Sequence, residues 1–176
     1  IRSGVVQGSC LGPLLFVLYI NDVTAVFDNG VVARLYADDL KLYCKVDNVA
    51  DELRLQNNIN KLHKWSNDWQ LEVSISKSCV VVFGNQKATR NRAQTYFIGL
   101  QKLQSRSDVN DLGVHIRSDL KAETHVSNIV SKARTRSYLI KKCFCSRNTK
   151  MLVKAYLVYV RPLLESNSSA WSPYLA

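Results

Sequence analysis

The apolar positions of this chain change their spacing several times, and each change marks an element. Leu14 to Val23 is a nearly unbroken apolar run, opened by Gly12-Pro13. Proline is tolerated in a first helical turn, where its missing N–H has no partner to lose. The run predicts a buried helix over about 13–27, ending before Asp28-Asn29-Gly30. Val31 to Tyr36 is β-branched and aromatic. Beyond it Leu40, Leu42, Cys44 and Val46 alternate with Lys41, Tyr43 and Lys45. A period of two belongs to a half-buried strand. Two strands around Ala37-Asp38-Asp39 predict a hairpin with two aspartates at its tip.

Residues 49–69 read as a helix, because Leu55, Ile59, Leu62, Trp65 and Trp69 fall at intervals of four and three and form one stripe. Both tryptophans on that stripe are expected to pack in a core rather than stack on bases. Short strands are predicted at 71–75 and 80–83, an exposed basic loop at 86–92, and further strands within 95–104 and 109–116. From 121 the period turns helical again through Val126, Ile129, Val130, Ala133, Ile140 and Phe144, with Ser137 interrupting the stripe. A last helix over about 149–160 is expected to end at Arg161-Pro162, since the residue before a proline is biased away from helical backbone.

Composition narrows the classes. The chain has 176 residues, 47% apolar and 22% charged, enough for one ordinary core and unlike a disordered or collagen-like chain. Its net charge of +10 favours polyanionic partners. The first sixty residues hold five basic and seven acidic side chains, whereas 121–176 hold ten and two, so the excess lies at the back. The most apolar stretch, Leu11 to Ile20, is about half of the roughly 20 residues a spanning helix needs. No membrane segment or secretion signal is expected, which suits an intracellular location, nucleus or cytoplasm. The chain opens at Ile1 in mid-pattern, as a fragment would. Five scattered cysteines, of which only Cys143 and Cys145 are close, give no zinc-ligand spacing and predict buried thiols in a reducing compartment.

Candidate chemistry centres on Asp38 and Asp39. Two carboxylates in one tight turn repel each other unless a cation or a shared proton relieves them. A hard cation such as Mg²⁺ would do so while keeping waters and substrate phosphates as its other ligands. Asp-Asp is also ordinary turn chemistry, so the four residues alone leave both readings open. Ser3 to Ser9 holds Gly4 and Gly8, where a ligand could approach closely, and Gln7 and Ser9, which could bond a nucleotide's edge. It lacks the ending of a phosphate-cradling P-loop and can equally be only a loop. Lys77 could reach a pyrophosphate or simply be solvated. Lys132, Arg136, Lys141 and Lys142 could follow a nucleic-acid backbone or form a solvated helix face.

Taken together, Ser3 to Phe16, Tyr19-Ile20-Asn21-Asp22 and Tyr36-Ala37-Asp38-Asp39 closely resemble reverse transcriptases, in particular the non-LTR (LINE-type, jockey-like) retrotransposon group. Lys77, Asp111-Leu112-Gly113-Val114, His125, Arg161 to Glu165 and Trp171-Ser172-Pro173 continue the likeness in the family's order. The resemblance implies an α+β fold: part of a right-hand polymerase, with an antiparallel palm remnant and catalytic hairpin over 1–118 and a helical thumb over 119–176. It implies that Asp38 is a direct metal ligand and Asp39 a supporting carboxylate, with two Mg²⁺ ions in the complete enzyme. Gln7, Gly8, Ser9, Tyr36 and Lys77 would meet template and nucleotide. Leu112 and Gly113 would hold the primer end, and the basic helices would grip the duplex. RNA template, DNA primer and deoxynucleoside triphosphates are the implied partners.

Some positions depart from that pattern. The family's first catalytic aspartate lies upstream of the Gln-Gly loop, and Asp22 matches a helix-end residue that cannot replace it. Val6 stands where proline is usual, Arg117 where aspartate is common, and Ser166-Asn167 where Tyr-Ala is usual. The 176 residues alone are therefore expected not to polymerise. The rival expectation is a catalytically inactive, nucleic-acid-binding remnant of a decayed element copy.

Overall fold

In the computed structural model of this chain, which describes residues 8–84, 95–145 and 148–172, Gly12-Pro13 opens a shorter helix than expected. Helix α1 (Gly12–Ile20) gives way to a tighter 3₁₀ segment at Asn21–Val26. The Thr24 hydroxyl there donates to the Asn21 carbonyl at 3.3 Å, and a local bond of this kind competes with a regular helix. Nor is α1 buried. Ile20 is covered, but Leu11, Leu14, Leu15, Val17 and Leu18 are exposed. The helix is apolar round its circumference, a pattern that normally accompanies full burial, and the described chain packs only one side of it.

The chain divides into two units, made of the described residues of Ile1–Val80 with Ala93–Ser105 and of Val81–Arg92 with Arg106–Ala176. The first is organised by α2 (Val49–Asp68), whose start is a reciprocal cap: Asn48 Oδ1 accepts from the Asp51 N–H, and Asp51 Oδ2 from the Asn48 N–H. Such a box satisfies two of the donors a helix start leaves unpaired. The predicted stripe then faces two cores. Leu62 and Trp65 join Ile20 and Val23, with Phe16, Leu35 and Leu40 packed against them. Ile59 joins Tyr96, Ile98 and Leu103, backed by Leu42, Leu55 and Val80. Trp65 is in the core as expected, whereas Trp69 lies at the rim, 39% exposed, edge-on to Tyr19.

Among the described residues the strands form four two-stranded sheets. β1 (Val32–Tyr36) pairs with β2 (Asp39–Tyr43), and β3 (Cys79–Val81) with β6 (Gln104–Arg106); β4 (Phe97–Ile98) pairs with β5 (Gln101–Lys102), and β7 (Asp108–Asp111) with β8 (Val114–Arg117). Each long strand expected over 95–104 and 109–116 is thus a hairpin, folded at Gly99 or at Leu112-Gly113, all three of which take positive φ. Residues 71–75 make no strand. The Ser66 hydroxyl and carbonyl hold Leu71 to the end of α2, and Val73 and Ile75 are used as core plugs. The loop expected at 86–92 lies outside the described residues.

In the second unit α3 (Glu123–Cys143), α4 (Thr149–Tyr159) and the short α5 (Arg161–Glu165) and α6 (Ser168–Trp171) follow the β7–β8 hairpin. Pro162 does end α4, but the chain restarts at once as α5, because a proline fits a first turn. The buried residues are few: Val114, His125, Ala133, Ala155 and Val160. All five cysteines are free, and none is buried; Cys10, Cys143 and Cys145 are exposed, because they sit at element ends rather than on packed faces. No described helix is long and apolar enough to cross a membrane.

Candidate active site

The β1–β2 hairpin places the two aspartates differently. Its register pairs Tyr36 with Asp39, Leu35 with Leu40, Arg34 with Lys41, Ala33 with Leu42 and Val32 with Tyr43. The connection is therefore the two residues Ala37-Asp38, with Ala37 at φ 51°, the left-handed backbone that tight hairpins require. Asp38 sits in the turn and Asp39 opens β2, rather than both occupying the tip.

Directly paired residues share a face of the ladder. Leu35, Leu40 and Leu42 reach the cores, so Tyr36 and Asp39 project outward together. Asp38, Asp39 and Tyr36 are all exposed, and neither carboxylate has a hydrogen-bond or ion-pair partner among the described residues. Hard, unengaged oxygen donors of this kind suit Mg²⁺ rather than a softer metal. Among the described residues no group of three or more metal-binding side chains forms.

Other expected site residues fall elsewhere on the fold. Gln7 lies outside the described residues. Gly8 is exposed with φ 85°, while the Ser9 hydroxyl accepts from the Gly12 N–H at 3.0 Å, fixing the start of α1. Lys77 lies exposed in the turn before β3, its N–H bonded to the Ser74 carbonyl. Asp22 accepts from the Trp65 indole N–H at 3.2 Å, a structural task in the first core.

In the second unit Leu112 and Gly113 form the β7–β8 turn, at φ 46° and 87°. Two successive positive φ values define the type I′ connection. The Asn167 side-chain amide donates to the Leu112 carbonyl at 3.1 Å, so this turn is braced from the segment after α5. On α3 the four expected duplex-binding cations do not share a face. At about 3.6 residues per turn, Lys132 and Arg136 lie on one flank, Lys141 on the other beside Arg134, and Lys142 between them.

His125, noted above only as part of the family likeness, has a structural role that no local pattern announces. It is 4% exposed, and its Nδ1 accepts from the His115 N–H at 3.2 Å. The proton of the neutral ring is thereby assigned to Nε2, which has no hydrogen-bond partner among the described residues, and the ring lies 5.6 Å from that of Trp171. Burial, then the charges of His115 and Lys132, push its pKa below the usual 6.5. The unfolded chain thus takes up this proton first as pH falls. Stability supplied by neutral His125 is fully present above about pH 6.5 and is lost progressively below it, until the folded form also protonates. Urea midpoints between pH 8 and 5 are expected to drop in the parent and to drop less in His125→Asn, whose oxygen can still accept from His115. Parallel curves would show that His125 does not carry this dependence.

Residues 1–142 match the reverse transcriptase (RNA-dependent DNA polymerase) family, and the chain belongs to that family. Among its relatives is the RNA-directed DNA polymerase from mobile element jockey, 25% identical over 93% of this chain in Drosophila melanogaster and 27% identical over 92% of it in Drosophila funebris. The probable RNA-directed DNA polymerase from transposon X-element of Drosophila melanogaster is 27% identical over 77% of this chain. The chain spans 19%, 18% and 15% of those relatives' lengths. No solved structure gives a significant match.

Proposed function

We propose that these residues carry part of an RNA-directed DNA polymerase of a non-LTR retrotransposon, with the Asp38-Asp39 hairpin as its metal-binding element. The observation that carries this reading is the pairing of Tyr36 with Asp39 across a two-residue turn. Among the described residues it leaves both carboxylates exposed and unengaged, while the leucines behind them are fixed in two cores. Mg²⁺, when bound, supplies charge to stabilise a nucleotidyl transfer in which a primer hydroxyl displaces pyrophosphate. Asp38 would hold the ion directly, and Asp39 would support it from the base of the turn. In this reading 1–118 are palm and 119–176 thumb, Leu112 and Gly113 hold the primer end, and Gly8, Ser9, Tyr36 and Lys77 line the path of template and nucleotide. RNA template, DNA primer and deoxynucleoside triphosphates are the partners.

Mn²⁺, standing in for Mg²⁺, tests the metal assignment on the 176-residue chain. Low Mn²⁺ is expected to broaden the amide signals of residues 36–40 before those of any other segment. Asp38→Asn with Asp39→Asn should remove that preference. Broadening that starts elsewhere, or that survives the double substitution, would overturn the assignment.

A further inference from the structure

Helices α3, α4 and α5 form a groove of about 460 Å³, in whose lining Lys141 is the one site residue carried over from the polymerase reading. Its floor is apolar, formed in part by Ala133 and Val160, which are 5% and 2% exposed. Its walls are of a different character. Tyr138 and Tyr156 line it while remaining 62% and 46% exposed, and Arg134 and Lys141 stand among them. Among the described residues no carboxylate lines the groove. The one carboxylate on α5, Glu165, is held by Arg161 Nε at 2.7 Å.

We propose that this groove binds single-stranded nucleic acid, its tyrosines stacking on bases and Arg134 and Lys141 meeting the phosphates. Three features favour that occupant. An exposed phenol ring flanking an apolar floor offers a flat face, and base–aromatic stacking uses such faces without regard to sequence. Cations without a neighbouring carboxylate complement a phosphate backbone. A duplex turns its base faces toward one another and offers two tyrosines nothing to cover, so the strand is a single one. The spacing on α3 makes the arrangement compact: Arg134, Tyr138 and Lys141 lie at intervals of four and three, along one flank of the helix. Of the four cations expected to grip a duplex, Lys141 lines this groove, whereas Lys132 and Arg136 lie on the other flank.

The probe is a short fluorescent oligouridine titrated with the 176-residue chain. Tyr138→Ala and Tyr156→Ala are each expected to weaken binding about tenfold, a stacking contribution of about 1.4 kcal/mol. The Tyr→Phe variants should retain most of the affinity, which separates stacking from loss of fold. Arg134→Gln with Lys141→Gln should flatten the dependence of affinity on salt. Retained affinity in the double alanine variant overturns the proposal. So does a parent chain that prefers an acidic, leucine-rich peptide to oligouridine, because the groove would then be a protein-docking site. The readout needs neither metal nor strand extension, so its failure is separate from any failure of the polymerase reading.

Discussion

Asp38→Asn is expected to lower Mg²⁺-dependent extension of a primer on an RNA template about a thousandfold, in any polypeptide where these residues support extension. The substitution keeps size and turn geometry but removes the charge that would hold the ion. A catalytic metal contributes several kcal/mol of transition-state stabilisation, and about 4 kcal/mol corresponds to a thousandfold in rate. Asp39→Asn, one step back on β2 beside Tyr36, should cost less if its role is support. The 176 residues alone are expected to give no extension. Extension by the isolated chain that Asp38→Asn abolishes would contradict that expectation, and an Asp38→Asn polymerase as fast as its parent would remove Asp38 from the chemistry.

The second large effect is structural. Trp65→Ala is expected to destabilise the first unit by about 3–5 kcal/mol, the usual range for truncating a buried tryptophan. Trp65 is 7% exposed, stacks on Trp69 with ring centres 6.1 Å apart, and shares its core with Ile20, Val23 and Leu62. Leu35 and Leu40 pack against the same cluster, so the cavity opens beneath the aspartates. Such a loss is a large share of the 5–15 kcal/mol a domain usually has. Hydrogen exchange should show protection lost at 32–43 and the urea midpoint lowered; Trp65→Phe should recover part of both. An unchanged midpoint in Trp65→Ala would mean that this core does not hold the hairpin.

The hairpin and α2 were legible because their periods are clean: alternation in 40–46, and intervals of four and three from Leu55 to Trp65. What escaped pattern reading was set by single polar atoms. Asp51, Asn58 and Ser66 interrupt the apolar stripe of α2 yet are buried. Asn58, for instance, accepts from the Asp28 N–H at 2.8 Å and donates to the Arg54 carbonyl at 2.8 Å, a pairing thirty residues apart that no local rule announces. The turn at Leu112-Gly113 was hidden for a related reason. A leucine at positive φ is costly, and here the Asn167 bond from far along the chain accompanies it.

At the site, recognising Asp38 and Asp39 needed the surrounding motifs, since two aspartates in a turn are ordinary by themselves. Their division between turn and strand depended on register, which shifts side chains between faces at every residue. The groove between α3, α4 and α5 could not be read at all. It joins Tyr138 to Tyr156, which are ordinary surface tyrosines until the helices pack.

The reciprocal cap at Asn48 and Asp51 also has a consequence for the order in which the molecule is made. Helix α2 carries its own start signal and local side-chain pairs, such as Gln56 with Asn60, so it can form from nearby residues alone. The β1–β2 hairpin cannot, because an isolated two-stranded hairpin is marginal in water and its leucines need Leu62 and Trp65 as a floor. Synthesis delivers residues 32–43 first and that floor about twenty residues later, at roughly 5–20 residues per second. For that interval of a few seconds the nascent chain carries its aspartate turn without the support that gives the turn its shape.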